Sequence, residues 1–214
     1  MIYIYYSYLS EENHEILLEN YLLKFSKEYQ DKIKRFRRWQ DAQLSLLGRI
    51  LLLKGIEEAG LFCPPDKEIK YTKCNKPYFE DNLIQFNISH SGEIVVCALS
   101  HENEIGIDIE IVTDVEIDDF KFLMTEMEWD KISSSNNKKS VFFDYWTQKE
   151  AVIKAHGHGL TIPLNSFEII DSMTKIHGEK FYLKEIKIDE KYKCTISQKA
   201  NINEISVEKY NVNQ

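Results

Sequence analysis

The order in which hydrophobic periodicity changes along the chain constrains its fold most. Met1-Ile2-Tyr3-Ile4-Tyr5 reads as an opening strand, and helical spacing then takes over: Ile16, Leu17, Leu22 and Leu23 within residues 11–25, and a basic stretch over about 27–39. A longer helix is predicted from about Asp41 to Ala59, where Leu44, Leu47 and Leu51 run beside Leu46, Ile50 and Leu53 and Gly60 supplies a stop. Pro64-Pro65 breaks the pattern, and short strands follow at Glu68–Thr72, Leu83–Ser89, Glu93–Leu99 and Glu104–Ile111. The order then repeats. Thr125-x-x-Glu128 has the form of a capping box opening a short helix, and a longer helix runs from about Lys139 to His156 and stops at Gly157. Strands return near Phe167–Ile170, Phe181–Ile188, Tyr192–Ser197 and Ile205–Lys209. Helices precede strands twice, so the expected class is α+β in two halves, 1–104 and 105–214, with a soft boundary and no Pro/Gly/Ser linker between them.

Two hundred and fourteen residues, 43% apolar and 29% charged, suffice for a substantial core. The formal net charge of −8 points away from DNA and anionic membranes as partners, so an anionic ligand needs a local basic patch. Cys63, Cys74, Cys97 and Cys194 have no zinc-like spacing, and with no basic leader at the N-terminus they read as reduced thiols of a cytoplasmic protein. No apolar run approaches the ~20 residues of a membrane helix.

Four segments carry chemical possibilities. In Gly106-Ile107-Asp108-Ile109-Glu110, strand alternation turns Asp108 and Glu110 to one side and Ile107 and Ile109 to the core. Carboxylates about 7 Å apart repel unless a cation lies between them, and a hard ion such as magnesium suits oxygen ligands; the bland alternative is a solvated polar face. In Trp146-Thr147-Gln148-Lys149-Glu150-Ala151-Val152-Ile153-Lys154, Glu150 and Lys154 share a helix face, either as an ordinary exposed pair or as a metal ligand or base beside a phosphate contact. Phe86-Asn87-Ile88-Ser89-His90-Ser91-Gly92 brings hydroxyls and an imidazole into a turn that can hold phosphate oxygens or be a plain hairpin. Asn75-Lys76-Pro77-Tyr78 holds a lysine in a rigid extended turn, and the basic stretch 32–38 is either a solvated face or a second phosphate contact.

Together and in this order, these segments, with Gly157-His158-Gly159-Leu160, resemble the phosphopantetheinyl transferases, in size most like the larger Sfp-type branch that activates peptide and polyketide synthases. The resemblance covers about residues 35–170. It implies two similar α+β halves about a pseudo-twofold axis, with coenzyme A in the cleft between them. By motif position it implies Asp108, Glu110 and Glu150 as ligands of Mg2+, Lys154 at the diphosphate, His90 and Ser89 at the phosphates, Lys76 and Pro77 at the nucleotide end, and Lys32 near the ribose phosphate. Leu44 stands where many such enzymes carry an arginine, with Arg49 and Arg38 as candidates to substitute, and Asn75 replaces a glycine but tolerates a left-handed backbone.

The implied reaction moves phosphopantetheine to a serine of an apo acyl or peptidyl carrier protein, with Glu150 and Lys154 as catalytic groups. A chain containing both halves is expected to act as a monomer. The alternatives are a non-catalytic binder of coenzyme A or carrier proteins on the same fold, and a diphosphate hydrolase needing no acceptor.

Overall fold

The computed structural model describes residues 1–60, 68–81 and 83–211; Cys63 and the Pro64-Pro65 break lie outside the described residues. The first half opens with β1 (Ile2–Tyr8), followed by α1 (His14–Tyr21), α2 (Lys27–Lys34) and α3 (Trp39–Glu58). Two short strands, β2 (Lys70–Tyr71) and β3 (Pro77–Tyr78), pair with each other, and β4 (Gln85–Ser91) and β5 (Ile94–Ser100) form a hairpin. The second half repeats the plan: β6 (Ile105–Ile111), α4 (Glu126–Ser134), α5 (Lys138–His156), then β7 (Met173–Ile176), β8 (Glu179–Glu185) and β9 (Tyr192–Gln198). In each half the last strand returns antiparallel to the first, β5 on β1 and β9 on β6. The final strand, β10 (Ile205–Lys209), crosses back and pairs parallel with β1. The sheet orders are β10-β1-β5-β4 and β6-β9-β8-β7, so β4 and β6 are both edge strands.

Alternation along these strands builds the layers. Tyr5, Val95, Cys97 and Leu99 pack against the apolar face of α3, while Ile2, Ile4, Ile94, Val96 and Ala98 meet Ile105, Ile107, Ile109 and Ile196 of the second sheet. The other face of the second sheet receives α5. The result is helix, sheet, sheet, helix, and this α+β class follows the order of periodicities in the sequence. Cys97 and Cys194 are buried thiols and Cys74 is half-buried, all unpaired. Among the described residues no helix is long and apolar enough to cross a membrane.

Several elements differ from the sequence expectation. The basic helix ends at Lys34; Arg38 is extended and begins α3. Phe167–Ile170 is not a strand, because its backbone is engaged elsewhere: Phe167 O accepts from Lys149 Nζ and Ile169 N donates to Glu128 Oε1. Only an isolated bridge, Ile170 to Met173, leads into β7. Ser89, His90 and Ser91 lie within β4, and the turn comes after them at Gly92, whose φ is +54°. The capping box is present, with Thr125 and Glu128 exchanging both bonds, and Gly157 ends α5 in the left-handed region at φ +84°.

Candidate active site

Asp108 and Glu110 project from β6 toward α5, and the close approach of these two elements is set by Gly106. A Cβ there would collide with the Ala151 carbonyl oxygen and the Ala155 nitrogen, and would lie 2.9 Å from the Lys154 carbonyl carbon. Only a residue without a side chain lets the helix backbone settle on the strand. Glu150 and Lys154, one helical turn apart, are thereby brought beside the strand carboxylates. Lys154 Nζ donates to Asp108 Oδ1 at 2.6 Å and to Ser89 Oγ at 3.0 Å.

Ser89, His90, Asp108, Glu110, Glu150 and Lys154 line one cleft of about 370 Å3. His90 stands exposed at its lip, whereas Asp108 is buried at 3% exposure. Burial raises all three carboxyls above their ordinary range. Repulsion adds to this, from Asp108 on Glu110 and from Asp108 and Glu110 on Glu150, while Lys154 opposes it at each. Three carboxylates against one ammonium leave a formal excess of two negative charges on the cleft wall. Asp108 Oδ2 is buried with no hydrogen-bond partner. An orphaned carboxylate oxygen and an excess of two charges fit a divalent cation with oxygen ligands. Among the described residues no three His, Cys, Asp or Glu side chains are arranged to hold an ion as they stand.

A second hollow, about 240 Å3, shares Glu150 and Lys154 with the first and is lined by Lys76, Pro77 and Gly157. Lys76 Nζ donates to the Ala155 carbonyl at 2.9 Å, so it caps the last turn of α5 from the other half of the molecule, and burial lowers its pKa. Asn75, just before it, takes φ +62°. Lys32 does not reach either hollow. It lines a separate one of about 830 Å3 with Tyr29, Arg49, Lys70, Tyr71 and Tyr78, where the Arg49 guanidinium lies 4.8 Å from the Tyr29 ring centre. Leu44 is 5% exposed and belongs to the core.

Three features escaped the sequence reading. Lys149, beside Glu150, is wholly buried and pairs with Glu128 at 2.8 Å while donating to the carbonyls of Leu164 and Phe167. Its neighbour could be assigned to the cleft from helical spacing, but a fully buried lysine has no local signature. His156 and His158 are joined through their Nδ1 atoms at 2.6 Å. The third is a set of side-chain bonds between the halves: Asn87, Ser89 and Ser91 of β4 accept from the N–H groups of Ile107, Ile109 and Ile111.

Residues 104–202 match the 4'-phosphopantetheinyl transferase superfamily, and residues 12–102 match the N-terminal region of 4'-phosphopantetheinyl transferases. The chain belongs to the 4'-phosphopantetheinyl transferase family, a family of enzymes. It is 36% identical over 200 residues to the 4'-phosphopantetheinyl transferase gsp of Aneurinibacillus migulanus, covering 88% of this chain and 83% of that protein. To the 4'-phosphopantetheinyl transferase Sfp of Bacillus subtilis (strain 168) it is 29% identical over 198 residues, covering 88% and 86%. With the L-aminoadipate-semialdehyde dehydrogenase-phosphopantetheinyl transferase of Xenopus laevis it shares 33% over 179 residues, 75% of this chain and 58% of that protein.

Proposed function

We propose that this chain transfers the 4'-phosphopantetheine arm of coenzyme A to a serine hydroxyl of an apo acyl or peptidyl carrier protein, with Mg2+, releasing 3',5'-ADP. The observation that carries the reading is the cleft itself: one buried and two half-buried carboxylates and one lysine, with an unpartnered Asp108 oxygen, in a chain of this family.

Such a transfer needs positioning and charge neutralisation more than covalent catalysis. The serine oxygen forms a bond to the phosphorus that carries pantetheine. The bond from that phosphorus to the bridging oxygen breaks, and 3',5'-ADP leaves with the electron pair. Glu150 accepts the serine proton, directly or through a water; burial and two neighbouring carboxylates raise its pKa above that of an ordinary glutamate, and a bound cation would lower its basicity. Lys154 has three N–H bonds, two of them directed to Asp108 and Ser89, and the third meets the charge growing on the leaving diphosphate. Asp108, Glu110 and Glu150 would hold Mg2+, which supplies Lewis-acid neutralisation of diphosphate oxygens when bound. His90 at the lip contacts a phosphate; the single hydroxyl hydrogen of Ser89 points at Asp108, so a phosphate competes for it.

The nucleotide end of coenzyme A extends past Lys76 and Pro77 toward the hollow of Lys32. There Arg49, which lines that hollow with Lys32 where Arg38 does not, is the better substitute for an arginine at position 44. The measurement is release of 3',5'-ADP with and without apo carrier, on wild type and on folded Asp108→Ala and Glu150→Ala. Release should need the carrier and vanish in both variants. Release without any acceptor would favour a hydrolase, and none at all a binding module; a folded variant with near-normal turnover would remove that residue from the site.

A further inference from the structure

The edges of the two sheets meet without pairing as strands. β6 is an edge strand buried against β4, and alternate backbone N–H groups along such an edge need acceptors. Side chains supply them. Asn87 Oδ1 accepts from Ile107 N at 2.9 Å, Ser89 Oγ from Ile109 N at 3.5 Å, and Ser91 Oγ from Ile111 N at 3.2 Å, each 20 residues further along.

The two serines then hand on what they receive. Ser89 Oγ donates to Asp108 Oδ1 at 2.9 Å, and Ser91 Oγ donates to Glu110 Oε2 at 2.6 Å. A serine hydroxyl has one hydrogen and two lone pairs. At Ser89 the hydrogen goes to Asp108, and the lone pairs take Ile109 N and Lys154 Nζ. Asn87 has no carboxylate to hold, because the matching position is Gly106. The rungs thus divide into one that joins the halves and two that also orient an acid. In each held carboxylate one oxygen is engaged by a serine. For Asp108 the other oxygen is the orphaned Oδ2, while the Glu110 carboxylate also accepts from the Trp146 side chain.

We propose that Ser91 is a positioning residue for Glu110: it joins the β6 backbone to the Glu110 carboxylate and so sets which oxygen is presented to a divalent cation. The inference rests on the proposed metal assignment but adds a residue that does not itself touch the ion. Outer partners of metal-binding carboxylates typically change metal affinity by about 10–100-fold when removed.

The test is titration of the purified chain with Mn2+ alone, followed by electron paramagnetic resonance, alongside thermal melting and the Mg2+ dependence of transfer. Ser91→Ala should weaken Mn2+ binding and raise the half-saturating Mg2+ by about 10–100-fold, with kcat at saturating Mg2+ near wild type. Ser91→Thr, which keeps the hydroxyl, should return both to within a few-fold of wild type. Asn87→Ala should lower the melting temperature and leave Mn2+ affinity unchanged, which separates loss of a rung from loss of positioning. On a Glu110→Gln background, Ser91→Ala should change Mn2+ affinity no further, and a further loss there overturns the positioning role; where Ser91→Ala melts too low to titrate, Ser91→Cys, similar in size but with a weakly donating thiol, should show the same weakening. Wild-type affinity in Ser91→Ala, or an equal loss in Asn87→Ala, overturns the positioning role while leaving the transferase reading in place. A wild-type protein that transfers phosphopantetheine but binds no Mn2+ faults the metal assignment, and the inference falls with it.

Discussion

Replacing Gly106 by alanine tests the physical basis of the site more sharply than replacing a charged group, because it adds one methyl group and removes nothing. The new Cβ would stand 2.9 Å from the Lys154 carbonyl carbon, and closer still to the Ala151 oxygen and Ala155 nitrogen, all of them helix backbone. Carbon atoms settle at about 3.5–4.0 Å, so α5 must retreat from β6 by about 1 Å or more. A backbone cannot rotate out of the way as a side-chain tip can. Overpacking of this kind costs about 1–3 kcal/mol, and a rigid partner puts Gly106→Ala near the upper end, about 3 kcal/mol. The retreat also stretches the Lys154 to Asp108 contact from 2.6 Å and the Lys154 to Ser89 contact from 3.0 Å. A displacement of about 1 Å in a reacting group costs on the order of 100-fold in rate. Urea unfolding and transfer rate measured together read both effects. Gly178→Ala is the control: it sits at φ +88° with open space around it, so it should cost about 1 kcal/mol through backbone conformation and leave turnover intact. Gly106→Ala with the unfolding midpoint and turnover of wild type would refute the claim that this glycine sets the strand-to-helix distance.

The buried pair of Lys149 and Glu128 predicts a stability effect without a direct role in the cleft. Lys149→Met should destabilise by about 3–5 kcal/mol in urea unfolding, because it strands the Glu128 charge, whereas the double variant Lys149→Met with Glu128→Leu should cost less than the sum of the two single changes. Lys154→Ala should lower the transfer rate at least tenfold, since one charge-assisted contact is typically worth about 1.5–3 kcal/mol; a smaller loss in steady-state rate would take Lys154 out of the reaction. Mg2+ should raise the melting temperature of wild type by mass action, with about 2.7 kcal/mol of stabilisation at 100 times its dissociation constant, and should do nothing for a folded Asp108→Ala protein. An equal shift in both would mean that the ion binds elsewhere.

What the sequence made legible was local. Alternation along 106–110 put Asp108 and Glu110 on one face and the isoleucines on the other, and helical spacing put Glu150 and Lys154 together; both periodicities survive into the fold. The capping box at Thr125 and the left-handed stop at Gly157 were equally readable, since each is decided by a few bonds close in sequence. The misses share a non-local cause. Phe167–Ile170 has a strand-like composition, but side chains from α4 and α5 claim its backbone groups. Lys149 and Glu150 are adjacent letters on opposite errands, one buried in the packing of α5 and one lining the cleft. The rungs from β4 to β6 link residues 20 apart on different sheets, so no window of sequence displays them.

A carboxylate and lysine cleft that moves phosphopantetheine from coenzyme A to a carrier serine must leave its mark on the mass of the carrier. Intact mass of an apo carrier after incubation with the protein, coenzyme A and Mg2+ tests it most directly. Each carrier should gain one phosphopantetheine, and the gain should vanish when the carrier serine is changed to alanine or when coenzyme A is omitted. Carriers of the fatty-acid, peptide and polyketide types that all keep their apo mass, with the protein folded and coenzyme A intact, would contradict it.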